Sequence, residues 1–203
     1  QSQLEPHMLF NTLANLRALI GIDPPAAQQM LDRLNHYLRA TLSASRATWH
    51  PLATEFERLD DYLALMAVRM GARLRCRLTL PEALRAVPVP PLLLQPLVEN
   101  AIAHGLEPQV QGGQIEVAAE RQGEHLLISV HDSGAGFDPT AARAGGGFGL
   151  AQVFERVASA YGGRAQVQLR SAPGAGTTVR LRLPQAGARA AAAGTPGGHT
   201  AAR

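Results

Sequence analysis

The apolar pattern of this chain changes period once, near residue 71, and that change sets its architecture. Before it, apolar residues recur at helical spacing. Leu9, Leu13, Leu16 and Ile20 form one stripe. Met30, Leu31, Leu34, Leu38 and Leu42 form a second, and Phe56, Leu59, Leu63, Met66 and Met70 a third. Asp23-Pro24-Pro25 and His50-Pro51 separate the stripes, because proline cannot continue a helix from within. Gly71 stands where helices commonly end. After it the period is two: Leu74, Cys76, Leu78 and Leu80 alternate with Arg and Thr, as in a strand with one buried face.

Further on, the stretch Pro81 to Pro91 is rich in turn signals, and a helix is predicted over 92–106. Strands follow over 114–120 and 126–132, with Gly123 turning between them. Residues 133–148 are Gly/Ala-rich without periodicity and read as a mobile loop. A helix over 149–161 ends at Gly162-Gly163, and strands over 165–170 and 177–183 close the pattern. The predicted fold class is α+β. A helical hairpin region over 1–70 precedes an α/β sandwich over 71–184, with a mixed sheet and helices on one face. An Ala/Gly/Thr-rich tail over 185–203 is predicted to be disordered.

Composition removes several chemistries. The chain of 203 residues has 19 basic side chains, all Arg, and no lysine. A Walker A loop, a eukaryotic-type protein kinase and a pyridoxal-phosphate enzyme each need one. The net charge is only +3 and aromatics are 4%, with no Arg cluster interleaved with aromatics, so nucleic-acid binding is not expected. Cys76 is the single cysteine, which excludes an internal disulfide and a Cys-based zinc site; its strand alternation predicts a core thiol. No apolar run reaches the length that spans a bilayer, so this segment is not expected to contact membrane. There is no initiating Met, and the chain is expected to begin inside a longer parent protein.

Three short motifs carry the candidate chemistry. In the strand ending at Asp132, Leu126, Ile128 and Val130 share its face. A carboxylate closing an apolar row is costly unless a donor meets it, and an adenine amino group is such a donor. Gly134 and Gly136 let the backbone turn beside a flat base. On the helix 92–106, Leu94, Leu97, Ala101 and Gly105 mark the buried stripe. Asn100 lies at its margin with His104 as its i+4 neighbour. An amide oxygen there suits Mg²⁺, and His104 is either a phosphate contact or a helix-end histidine. Gly145, Gly146, Gly147 and Gly149 precede a helix starting near Leu150, where backbone N–H groups can receive phosphate without lysine. Thr177 shares a face with Val179, Leu181 and Leu183, so its hydroxyl is expected to point into the same pocket.

Taken together, the run Leu94 to His104, Asp132-Ser-Gly134-Ala-Gly136 and Gly145-Gly-Gly147-Phe-Gly149-Leu150 resemble the N, G1 and G2 boxes of the ATPase superfamily of gyrases, heat-shock chaperones, histidine kinases and mismatch-repair proteins. Leu4-Glu-Pro-His7-Met-Leu-Phe-Asn11-Thr-Leu resembles the H box of LytS-type sensor histidine kinases, where Pro-His-Phe-Leu-Phe-Asn is typical. The likeness extends over residues 1–184. It departs at Met8, where Phe is usual, and at Gln152 and Phe154, where the family often shows Asn and Arg.

The resemblance implies a Bergerat-type ATP-binding fold, ATP and Mg²⁺ as ligands, and His7 as phosphoacceptor with Asn11 one turn on. His7 sits about 150–200° around the helix from the Leu9 stripe at ~100° per residue, so it faces away from the bundle core. Its general base is left open between Glu5, Glu99 and no base at all, since a neutral imidazole attacking phosphorus needs little deprotonation. The resemblance also implies a response regulator as partner, with a LytTR-type DNA-binding domain, and a cytoplasmic segment of an inner-membrane protein. Two short helices with long apolar stripes predict a homodimer that completes a four-helix bundle. The alternative is an ATP-binding scaffold or ATPase switch without phosphotransfer. A gyrase-like switch places a Glu base one turn before the Asn, and Pro96 stands there instead.

Overall fold

The computed structural model of the chain describes residues 6–43, 49–139 and 148–185. Two helices, α1 (Pro6–Ile22) and α2 (Pro24–Ser43), meet at Asp23. The Asp23 carboxylate accepts the Ala26 N–H at 3.1 Å, and Pro24 at the first helical position needs no N–H partner. The signal that breaks one helix therefore starts the next. A third helix, α3 (Leu52–Met70), packs against both. Gly71 ends it at φ +59°, its N–H returning to the Ala67 carbonyl.

Beyond α3 lie β2 (Leu74–Thr79) and the helix α4 (Gln95–Asn100), which runs on without a break into a π-helical turn, Ala101–Leu106. Then come β4 (Gly113–Gln122), β5 (His125–Asp132), α5 (Phe148–Tyr161), β6 (Gln166–Ser171) and β7 (Thr177–Pro184). The five-stranded sheet has the order β2-β4-β5-β7-β6. The β2–β4 pair is parallel and the others are antiparallel.

Alternation puts Ile115, Val117 and Ala119, Leu126, Ile128 and Val130, and Val179, Leu181 and Leu183 on one buried face. Helices α3, α4 and α5 cover that face through residues such as Leu59, Leu97, Ile102 and Val157. A mixed sheet with helices on one face follows directly from the change of period. One small element had no sequence signal: β1 (His50–Pro51) pairs with β3 (Pro88–Val89) and ties the start of α3 to the segment before α4.

The α1 stripe is only partly covered, in keeping with a stripe too long for one hairpin to hide: Leu9 and Leu16 pack on the core, whereas Leu13 is 45% and Ile20 60% exposed, beside Phe10 at 70%. A single α2 is too narrow to cover that width of apolar surface. One expectation is corrected: Cys76 is exposed and not a core thiol, because β2 is an edge strand with no neighbour on one side. Partial desolvation, and secondarily the Asp60 carboxylate, push its thiol up to about 11. The tail over 186–203 lies outside the described residues.

Candidate nucleotide-binding site

Asp132 closes the inner row of β5 and is 3% exposed. Burial raises its carboxyl above the ordinary aspartate value, since desolvation penalises the charged form. Three smaller influences oppose this: the Gly134 N–H, the nearby His131 and the Thr177 N–H. The Gly134 N–H donates to Oδ1 at 2.9 Å. A buried carboxylate so placed is poised to accept a further donor from a ligand.

The pocket around it is shaped by glycine. A Cβ on Gly105 would lie 2.7 Å from Asp132 Oδ1, so the absence of a side chain lets the helix meet the strand end. A Cβ on Gly134 would strike the Gly105 carbonyl, which accepts the Ala135 N–H at 3.0 Å. The π-helical turn keeps Gly105 and Leu106 against the sheet; its widened pairing is seen where the Glu107 N–H reaches back to Ile102. Such turns recur at functional sites. Gly136 has φ +58° and abuts the Ala172 carbonyl, which no other residue would allow.

Thr177 stands directly opposite Asp132 in the β5–β7 register. Its Oγ1 lies 3.0 Å from Ser171 Oγ, which also accepts the Phe137 N–H at 2.9 Å. Ser171 thereby holds the loop after Asp132 against the β6–β7 hairpin. The sequence reading missed this residue; its one signal was the hairpin register that pairs Ser171 with Thr177.

On α4, Asn100 is half-buried and His104 exposed. Among the described residues, nothing hydrogen-bonds the Asn100 amide. Glu99 turns toward the helical region instead. Gln95 Nε2 donates to Glu99 Oε1 at 2.7 Å and to the Tyr37 hydroxyl at 2.8 Å, and Tyr37 donates to Glu99 Oε1 at 3.3 Å. Gly105, Asp132, Gly134 and Thr177 thus meet where the π-helical turn, β5 and β7 converge, and Asn100 and His104 lie on the same continuous helix as Gly105. Gly145 and Gly147 lie outside the described residues; Gly149 and the half-buried Leu150 fall in the first turn of α5. Glu5 is also outside them, and His7 and Asn11 lie on α1, whose backbone alone is described at those positions.

Known proteins share both halves of this arrangement. Residues 91–187 match the family described as histidine kinase-, DNA gyrase B- and HSP90-like ATPase, and residues 1–74 match the family described as histidine kinase. The sensor histidine kinase BtsS of Escherichia coli K12 is 31% identical over 183 residues, 90% of this chain and 32% of that protein. The sensor protein LytS of Staphylococcus haemolyticus is 30% identical over 194 residues, 91% of this chain and 33% of that protein. The chain therefore spans about a third of the length of the curated relatives it matches.

The histidine kinase domain of the blue-light activated kinase EL346 from Erythrobacter litoralis superposes with a TM-score of 0.57 at 18% identity, covering 88% of this chain and 84% of that one. The Acinetobacter baumannii histidine kinase AdeS gives 0.53 at 15%, covering 88% and 95%. Fold and site together define an ATP-binding domain of the type that histidine kinases share with gyrase and HSP90. The chain belongs to the histidine kinases and is similar, over about a third of their length, to sensor kinases such as LytS.

Proposed function

We propose that the chain is the phosphotransfer core of a two-component sensor kinase. ATP binds with its adenine amino group donating to Asp132 and its base beside Gly134 and Gly136. Thr177 closes that wall. The phosphates lie toward His104 and the N–H groups of the Gly145, Gly147, Gly149 and Leu150 segment. Asn100 holds Mg²⁺, which neutralises phosphate charge. The γ-phosphoryl group passes to His7, and from it to an aspartate of a response regulator. Asn11 orients the imidazole, and Glu5 or Glu99 takes up its proton.

The observation that carries this reading is the buried, donor-seeking Asp132 beside a helix that also touches the helical hairpin. Counted from the turn at Asp23, Tyr37 on α2 and Leu9 on α1 stand at the same height, because both helices rise by ~1.5 Å per residue. Tyr37 contacts Glu99, the residue before Asn100. The nucleotide helix therefore meets the hairpin at about the height of His7 along it, which supports His7 as the acceptor.

The homodimer is proposed to form through the exposed α1 residues Phe10, Leu13 and Ile20, an apolar surface that a second hairpin would cover. The regulator is proposed to carry a LytTR-type DNA-binding domain, by likeness to LytS proteins. Among the described residues no helix is long and apolar enough to cross a membrane; the chain is proposed to be the cytoplasmic part of a membrane sensor.

The test is incubation with γ-labelled ATP and Mg²⁺. Label that survives alkali and is lost in acid marks a phosphoramidate and supports the reading. Release of inorganic phosphate with no protein-bound label would make the chain an ATPase switch.

A further inference from the structure

The first turn of α4 has no cap of its own. No side chain of the helix's own N-cap residue, Leu94, receives its N–H groups. The N–H groups immediately before that turn go to another element. Glu55, in the first turn of α3 and 2% exposed, accepts the Leu92 N–H on Oε1 at 2.9 Å. Its Oε2 accepts the N–H groups of Leu93 at 2.7 Å and Leu94 at 2.8 Å. His50 Nε2 lies 2.8 Å from Oε1, and Arg58 Nη1 lies 3.5 Å away.

The gripped segment is itself constrained. Leu92 adopts φ +55°, rare for a residue with a side chain. The start of α3 is held in return: the Leu52 N–H donates to the Val87 carbonyl at 2.8 Å and Ala53 to Arg85 at 2.9 Å. On the other side, Arg156 of α5 donates to the Pro91 carbonyl at 2.5 Å. Glu55 of α3 thus holds Leu92 to Leu94 and Arg156 of α5 holds Pro91, so the two helices clasp one segment immediately before the helix that bears Asn100.

We propose that Glu55 is a positioning residue of the nucleotide site. By holding the N–H groups of Leu92 to Leu94 from α3, it fixes the height and rotation at which α4 carries Asn100 and brings Gly105 against Asp132. Helix α3 then belongs to the ATP site as much as to the hairpin. This inference rests on the ATP reading above. Coupling between sites is reciprocal, so nucleotide held at Asn100 and Asp132 must also tighten the clasp at Leu92 to Leu94.

The test has two arms on the whole chain. In Glu55→Gln an amide N–H₂ replaces one acceptor facing backbone donors, and ATP affinity by calorimetry should fall about tenfold or more while unfolding stays cooperative. Glu55→Asp keeps the charge on a shorter arm and should recover part of the loss. Met70→Ala, a cavity at the far end of the same helix, should lower Tm yet leave ATP affinity unchanged. In the wild type, ATP should slow amide exchange at Leu92, Leu93 and Leu94. Wild-type affinity in a folded Glu55→Gln, or exchange at those amides indifferent to bound ATP, would overturn the proposal. The exchange arm decides even if the variant does not fold. A wild-type chain that binds no ATP at all would instead refute the nucleotide site, and the role of Glu55 with it.

Discussion

At the scale of single residues, the chemistry turns on carboxylates that folding has taken out of water. Asp132 and Glu55 are both almost fully buried, but they differ in satisfaction. Glu55 meets backbone donors from a neighbouring segment; Asp132 has donors too few to offset its desolvation, and its carboxyl is raised. The sign of the consequence is fixed. A raised folded-state value means the ionised form burdens the free protein above it, and stability is regained as pH falls through it toward the ordinary value. Unfolding measured against pH should therefore show the wild type gaining on Asp132→Asn as the medium is acidified between those two values. An unchanging difference would contradict the burial argument. The same substitution should weaken ATP binding about 10- to 100-fold by calorimetry, since a charge-assisted bond to the base is lost. Asp132 was legible in the sequence because a charged residue ended an apolar alternation. Glu55 was not, because its partners lie far along the chain and are backbone groups, which leave no mark on residue type.

At the scale of elements, long periodic segments were readable and short or borrowed contacts were not. The strand, helix and turn positions after residue 71 follow the alternation closely, since a one-residue slip would expose the entire inner row. The β1–β3 ladder is two residues a strand and has no period to detect. Nor does composition announce the π-helical turn, although it decides how Gly105 reaches Asp132. Gly105→Ala tests that element. Alanine ordinarily favours a helix over glycine, but here its Cβ would sit 2.7 Å from Asp132 Oδ1. Denaturant unfolding should show a loss of about 1–3 kcal/mol from overpacking, with weaker ATP binding. A gain in stability would mean the helix and strand do not meet as described.

For the whole molecule, two modules share one helix. The Tyr37–Gln95–Glu99 network and the Glu55 clasp both join the helical region to α4, so the nucleotide helix is held from the helical region at two points. Among the described residues, α1 exposes Phe10, Leu13, Ile20 and Ile22. Leu13→Glu with Ile20→Glu should abolish self-association in sedimentation and leave ATP affinity intact, because both side chains lie on the hairpin away from Asp132. An equally associated variant would move the dimer interface elsewhere. Sequence showed that α1 had more apolar surface than α2 hides, through its stripe length, but not which part stays uncovered. The claim that binds all of this together is transfer of phosphate from the nucleotide to His7, and one measurement tests it most directly. Wild type and His7→Gln are incubated with γ-labelled ATP and Mg²⁺, and labelled peptides are mapped. Acid-labile label is expected on the peptide bearing His7 in the wild type, and no label in His7→Gln at undiminished ATP affinity. Label retained in His7→Gln, or found on serine or threonine, would contradict it.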